Sequence, residues 1–233
     1  IDLNEFQNLN GIFRAGIGRD NVPEKEAEKK GIDVRYPSQE TTDIIFNETA
    51  SFTCGLIFKM LYNSVGTLNP WAKEIRRQLS HKKLLIIGVG NIGSRVAQLM
   101  KPFMEITTFD ILKNETSELK LMINQVECIT IHIPKSDDNL SFMDAEKLSW
   151  MKNGAVLINT ARGSIVDEDA LYAELQNGRL RAAFDVYWQE PYIGKLKEFY
   201  PSQFFMTPHV ASTCLEFLQS CRKDLDNLIL ELS

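Results

Sequence analysis

Four cysteines occur in 233 residues, and none stands in a CxxC or Cys/His spacing. That excludes a sequence-recognisable zinc site and a disulfide framework. Cys54, Cys128, Cys214 and Cys221 read instead as buried free thiols in a reducing, cytoplasmic setting, with Cys214 and Cys221 on one face of a predicted helix. Long hydrophobic runs are also missing. No window approaches the ~20 apolar residues of a bilayer span, so no membrane partner is expected, and no signal-peptide pattern opens the sequence. Nor is there a block of one charge sign. The net charge is −5, and Lys29-Lys30, Arg76-Arg77 and Lys82-Lys83 are isolated doublets that read as solvated surface, which argues against a nucleic-acid partner. Internal repeats and low-complexity tracts are absent. What remains is ordinary globular material, 44% hydrophobic, with enough core for one large domain or two modest ones. The first residue is Ile1, not Met, in mid-pattern, which reads as processing or as a fragment.

The first 46 residues read as a short α/β piece. Asn10–Phe13 predicts a strand that empties into the glycine-rich loop Arg14-Ala15-Gly16-Ile17-Gly18. Pro23 suits the first turn of a helix to Lys30, Gly31 closes it, and Ile32–Tyr36 predicts a second strand. A buried helix is expected over Phe46–Tyr62 and a short amphipathic helix over Pro70–Leu79. From Lys82 onward, apolar runs at Leu84–Ile87, Ile106–Phe109, Cys128–Ile133, Ala155–Ile158 and Leu180–Val186 alternate with helical segments at Ile92–Met100, Ala145–Met151 and Glu168–Asn177. Continuously apolar strands alternating with helices imply an α/β fold with a doubly wound parallel sheet covered on both faces. The last helix, from about Ser212 to Leu230, carries Phe217, Cys221, Leu225 and Leu228 as one stripe.

Between the first of these strands and its helix stands Gly88-Val89-Gly90-Asn91-Ile92-Gly93, a GxGxxG. Gly88 permits the tight turn, Gly90 lets backbone N–H groups reach a pyrophosphate, and Gly93 lets the helix pack closely on the strand. The next strand ends in Asp110, where a carboxylate can accept hydrogen bonds from ribose hydroxyls and repel a 2′-phosphate. NAD is therefore the expected cofactor, with Lys113 the residue that speaks against a strict preference over NADP.

Three later apolar runs each lead to one ionisable residue at a strand's carboxyl end, where open parallel sheets bind ligands: Arg162, Glu190 and His209. A guanidinium fork suits bidentate holding of a 2-oxo acid, although Arg162 could instead pair with Asp167 or Glu168. A Glu190 carboxylate bonded to the His209 imidazole would stabilise the imidazolium and orient the ring for general acid–base work, and Pro208 restricts the backbone before it. His132 reads equally well as a residue bordering a nicotinamide or as a core histidine, and His81 reads as exposed. Asp185 could accept a hydrogen bond from a carboxamide or simply cap a turn.

The strings GVGNIG (Gly88–Gly93), NTARGSIVDE (Asn159–Glu168), FDVYWQEP (Phe184–Pro191) and TPHVAS (Thr207–Ser212) resemble the D-isomer-specific 2-hydroxyacid dehydrogenases, in the order that family shows. NGIFRAGIGRDNV (Asn10–Val22) is most similar to the phosphoglycerate dehydrogenase branch. The resemblance implies a Rossmann NAD-binding domain at 47–211 and the remnant of a flavodoxin-like substrate domain at 1–46, with a helix over 212–233 returning towards the latter. It implies that Arg162 holds the substrate carboxylate and carbonyl, that His209 is the acid/base and Glu190 its partner, and that Ala15, Gly16 and Arg14 bind the acid end. By the same resemblance NAD meets Gly88, Gly90, Asn91, Ile92, Gly93, Asp110, His132, Pro134, Thr160, Ala161, Arg162, Asp185, His209 and Ala211. Hydride transfer between NAD(H) and a D-2-hydroxy/2-oxo acid pair in a homodimer is the implied activity, with no metal. A non-enzymatic, NAD-sensing corepressor-type protein is the alternative. Two departures stand out: most of the family's first lobe is not in this sequence, and Gly178–Asp185 is one residue short, with Arg181 where a small residue is common.

Overall fold

A computed structural model of the chain describes residues 2–232, which divide into two compact units, residues 2–48 with 212–232, and Thr49–Ala211. The first unit opens with strand β1 (Gly11–Phe13), helix α1 (Glu24–Lys29) and strand β2 (Asp33–Arg35). β1 and β2 pair in parallel with Ile12 opposite Val34, so α1 is the crossover of a small β-α-β unit. Its interior is Leu3, Ala27 and Ile32.

Helix α2 (Gln39–Leu61) begins in the first unit and ends in the second. It starts seven residues before the expected Phe46 because Ser38 caps it: Thr41 N donates to Ser38 Oγ, and Thr42 N to Ser38 O. That polar first turn carries no apolar stripe to announce it. By length and composition α2 also meets the requirement for a bilayer span, contrary to the expectation that no window would; 56% of that stretch is buried inside the fold.

The expected helix over Pro70–Leu79 is not formed. Strands β3 (Gly66–Leu68) and β4 (Trp71–Lys73) make an antiparallel hairpin around Asn69-Pro70, whose turn chemistry prevails over the weak apolar spacing beyond it. Gly66 is required there: its φ is +130°, and a Cβ would lie 2.2 Å from Ala72 O.

The rest of the second unit alternates regularly: β5 (Lys83–Ile87), α3 (Asn91–Met100), β6 (Glu105–Phe109), α4 (Leu119–Ile123), β7 (Cys128–Ile131), α5 (Ala145–Ser149), β8 (Val156–Asn159), α6 (Glu168–Gln176), β9 (Arg181–Phe184) and β10 (Phe204–Met206). The six strands are all parallel, in the order β10-β9-β8-β7-β5-β6. Period-two alternation splits each central strand between two dry layers. Leu85, Ile87, Ile129, Ile131, Leu157 and Phe184 face Leu119, Leu148, Leu171 and Leu175 of α4, α5 and α6. Leu84, Ile86, Val156 and Ile158 face Ala50, Leu56, Met60, Val96 and Met100 of α2 and α3. This is the doubly wound sheet the apolar runs predicted. Arg181, the unusual residue of the shortened segment, donates to Met60 O, a carbonyl in the last turn of α2, where a cation is favoured.

Helix α7 (Leu215–Leu232) returns to the first unit. Phe217, Cys221 and Leu228 are buried as expected, but Leu225 faces solvent. Its place on the inner stripe goes to Ser220 and Asp224, both bonded to Thr41 Oγ1 at 2.6 and 2.7 Å. Cys214 stands just before α7 and packs on the same buried cluster as Cys221; its sulfur accepts the Phe217 N–H at 3.4 Å. All four cysteines are free, and burial pushes the Cys54 thiol up to about 11.

Phe184 is fully buried at the carboxyl end of β9, its ring 5.2 Å from Phe204 and 5.8 Å from Trp188. Phe184→Ala is expected to lower the unfolding free energy by about 3–5 kcal/mol in urea titrations. A loss under about 1 kcal/mol would contradict this account of the core.

Candidate active site

From β5 the chain steps through α3 to β6 on one side, then crosses to β7 on the other. Connections leave β5 and β7 in opposite directions, and a crevice opens where their carboxyl ends meet. Gly88, just past β5, has φ +90°, and a Cβ on it would lie 2.7 Å from His132 O at the end of β7. A Cβ on Gly93 would lie 2.0 Å from Gly88 O. Gly90 differs: nothing stands within 4 Å of where its Cβ would be. It is the N-cap of α3 and offers no side-chain cap, so the first N–H groups of the helix, from Asn91, Ile92 and Gly93, open onto clear space. That arrangement suits a pyrophosphate.

Asp110 follows β6. Its carboxylate accepts from Val89 N and Leu112 N, each at 3.0 Å, and these bonds hold its pKa below the usual carboxylate range. An ionised carboxylate is thereby fixed against the glycine loop, where ribose hydroxyls would meet it. The residues present fit a dinucleotide. His132 Nε2 lies 3.0 Å from Thr130 Oγ1. Although the residue is only partly covered, the atoms packed around its imidazole push the pKa down to about 3, so the ring is neutral at ordinary pH. Pro134, two residues on, is exposed, and its carbonyl accepts from Asn139 Nδ2.

Past β8, Asn159 organises the next loop. Its buried side chain accepts from Ala161 N and donates to Arg162 O. Thr160 Oγ1 bonds Thr53 Oγ1 of α2 at 2.8 Å. Arg162 is partly buried, with Nη1 donating to Ala161 O. Of its two suggested partners, Asp167 caps α6 through Ala170 N and Glu168 accepts from Tyr192 Oη. At Gly163 a Cβ would lie 2.1 Å from the Tyr187 carbonyl carbon and 2.4 Å from Trp188 N, so this loop rests directly on the backbone leading to Glu190. Trp188 Nε1 donates to Val166 O across the same contact.

Glu190 and His209, nineteen residues apart, are brought together because β9 and β10 pair in parallel. His209 Nδ1 lies 2.7 Å from Glu190 Oε2, and Glu190 Oε1 accepts from Tyr187 N. With Nδ1 so engaged, Nε2 is the nitrogen left for a reacting group. Beside the pair opens a cavity of about 710 Å³ lined mainly by Tyr187, Tyr192, Lys197, Tyr200 and Met206. His209 has φ +54°, the left-handed region. Asp185, read as a carboxamide acceptor or a turn cap, is fully buried. Its oxygens accept from Thr207 Oγ1, Val210 N and Ala211 N, so it caps the turn that carries His209.

In the other unit, the Arg14 guanidinium folds onto its own loop, donating to Ala15 O, Gly18 O and Asn21 Oδ1, and Gly16 N donates to Arg14 O. Gly16 N–H and the Arg14 fork are thus engaged within their own loop in this conformation. Among the described residues no cluster of His, Cys, Asp and Glu could hold a metal ion. Asn159, Gly163, Tyr187 and Thr207 were not anticipated; their only signal was adjacency to the expected residues.

Compared with protein families, residues 63–211 match the NAD-binding domain of the D-isomer-specific 2-hydroxyacid dehydrogenases. A hydroxypyruvate reductase from Thermotoga maritima is 31% identical over 228 residues, 90% of this chain and 73% of that protein. A D-3-phosphoglycerate dehydrogenase from Synechocystis is 32% identical over 88% of this chain, which spans only 39% of that protein. Among solved structures, a D-lactate dehydrogenase from Aquifex aeolicus, complexed with NAD and lactic acid, superposes with a TM-score of 0.80 at 26% identity, covering 97% of this chain and 77% of that one.

The His132 environment has a measurable consequence. The unfolded chain takes up a proton at the ordinary imidazole value of 6.5, the folded chain only near about 3. Stability therefore falls as pH drops from 6.5 towards 3, by at most about 1.4 kcal/mol per pH unit from this group. Urea titrations of His132→Gln should show that slope reduced, and imidazole NMR should show His132 neutral from pH 5 to 9. A folded-state titration near 6.5 would overturn the assignment.

Proposed function

Since the chain belongs to the D-isomer-specific 2-hydroxyacid dehydrogenase family, we propose that it takes part in the NAD-dependent interconversion of a D-2-hydroxy acid and its 2-oxo acid. The observation that carries this is the Glu190–His209 pair, 2.7 Å apart at the carboxyl edge of the cofactor-binding sheet. The relatives compared are reductases and dehydrogenases, which leaves the corepressor-type reading without support.

NADH, when bound, supplies the hydride that reduces the C2 carbonyl. The Gly88–Gly93 turn and the amides of Asn91 and Ile92 receive the pyrophosphate, and Asp110 the ribose hydroxyls. His132, Pro134, Thr160 and Ala161 border the nicotinamide half. Arg162 holds the substrate carboxylate and polarises the carbonyl, since its planar fork matches an oxo acid. His209 Nε2 gives a proton to the carbonyl oxygen, while the Glu190 carboxylate stabilises the imidazolium before transfer and steers the ring throughout. In the reverse direction the neutral imidazole takes the hydroxyl proton. Ala15 N–H, with Arg14 and Gly16 once released from their own loop, would receive the acid end.

A homodimer is part of this reading, supported by the exposed Leu68 and Trp71 on the β3–β4 hairpin; sizing in solution tests it. A cytoplasmic protein with neither membrane nor nucleic-acid partner is likewise proposed, on its reduced thiols and dispersed charge.

Absorbance at 340 nm should fall when the protein is mixed with NADH and a panel of 2-oxo acids. NADH binding without turnover on any of them would sink the dehydrogenase reading. Arg162→Ala is expected to lose at least about 100-fold in turnover while keeping NADH affinity; a collapse of NADH binding would refute its substrate role. Asp110→Ala should weaken NAD more than NADP, and equal losses would refute the ribose assignment.

A further inference from the structure

Two buried threonines tie the loop of Arg162 to helix α2. Thr53 of α2 and Thr160, two residues before Arg162, belong to the same compact unit and are both buried. Their hydroxyl oxygens lie 2.8 Å apart, a distance that by itself leaves open which of them donates. Thr53 Oγ1 also lies 2.7 Å from Thr49 O, and a carbonyl oxygen can only accept. Thr53 has a single hydroxyl proton and spends it there, in the bond to the carbonyl four residues back that helical threonines make. The proton between the two hydroxyls therefore belongs to Thr160. Donation runs from Thr160 to Thr53, and from Thr53 to Thr49 O.

The dependence is one-sided. Without Thr160, Thr53 keeps its bond to Thr49 O. Without the Thr53 hydroxyl, Thr160 is left with a buried donor, the costly kind of loss, in a fold where no buried side-chain nitrogen or oxygen among the described residues lacks a partner. Relief would require the Thr160 side chain to turn away, and the two residues after it are held to the same short loop. Asn159 Oδ1 accepts from Ala161 N at 3.0 Å, and Asn159 Nδ2 donates to Arg162 O at 2.8 Å. Arg162 Nη1 donates to Ala161 O at 2.7 Å. Asn159 thus fixes the backbone of this loop, and Thr53 fixes the side chain that stands between Asn159 and Ala161.

We propose that Thr53 is a positioning residue for Arg162: its hydroxyl, turned by Thr49 O so that it accepts, fixes Thr160 and with it the direction from which the guanidinium meets the substrate carboxylate. The bearing on substrate rests on the dehydrogenase reading above; the hydroxyl relay does not.

The test uses the full chain, with Thr53→Val removing the hydroxyl at nearly constant shape. In ¹H–¹⁵N spectra the amides of Ala161 and Arg162 should shift in Thr53→Val and return in Thr53→Ser. On the NADH complex, calorimetry with oxamate, an unreactive analogue of a 2-oxo acid, should give an affinity weaker by about tenfold. KM for the 2-oxo acid should rise by a similar factor, with NADH affinity within about threefold. Two comparisons separate this from a general loosening of the fold. In the Arg162→Ala background, Thr53→Val should change kcat/KM by less than about twofold, because the group it acts through is gone. Thr53→Val combined with Thr160→Val removes the orphaned donor and should recover most of the loss. Unmoved amides in folded Thr53→Val would overturn the proposal, as would unchanged oxamate affinity, losses that multiply with Arg162→Ala, or no recovery in the double variant. Should Thr53→Val fail to fold, Thr160→Val cuts the tie without stranding a donor. It should weaken oxamate by about threefold and be restored by Thr160→Ser; an unchanged affinity counts against the relay. A wild type that turns over no acid, with its amides responding as described, would fail the dehydrogenase reading alone.

Discussion

Helices cover both faces of the six-stranded sheet, and every residue of β7 and β8 is buried. An ionisable group on either face would lose its hydration with nothing to replace it. Thr130, the polar side chain in the middle of β7, is matched by His132. Charge is thereby excluded from the body of the domain and collects where the strands stop. Gly88, Asp110, His132, Arg162 and Asp185 all stand within three residues of a strand's carboxyl end, and His209 three residues beyond β10. The crevice between β5 and β7 then needs no further device to receive a dinucleotide than a helix N-terminus without a cap.

Along that edge the surroundings sort the titratable groups by task. Asp110 is held ionised by two backbone amides at a half-buried position. His132 is held neutral by the atoms packed around it, and can accept or donate a hydrogen bond without taking up charge. Asp185 is the costly one, a carboxylate with no solvent, retained because three donors have no other acceptor. Two carboxylates and a neutral imidazole support the edge, while the partly exposed Glu190 and His209 face the crevice.

Much of this was legible because fully buried parallel strands read as unbroken apolar runs. Each such run in the second half of the chain became a strand, and the GxGxxG fell between β5 and α3. The positions of Arg162, Glu190 and His209 past the ends of strands were legible for the same reason. Local chemistry without periodicity was not. The start of α2 depends on a Ser38 cap ahead of polar residues, and the β3–β4 hairpin on a turn at Asn69-Pro70. Leu225 looked like core because the stripe was drawn by hydropathy; the true inner face of α7 includes Ser220 and Asp224, which Thr41 requires. The roles of Asn159, Thr207 and Asp185 were hidden for another reason. Each depends on a loop conformation, and no spacing in the sequence announces that His209 lies at positive φ.

The seating of Gly163 on the Tyr187–Trp188 backbone has a bearing on how such a protein can change. The segment bearing the guanidinium and the segment bearing the carboxylate touch with no room for even a methyl group between them. Neither can drift alone, so substitutions in 160–166 and in 186–190 will be epistatic: one tolerated in the presence of its counterpart will fail without it. Divergence of substrate choice within this architecture is then easier through the walls around the pair, such as Lys197, Tyr200 and Met206, than through the pair's own supports.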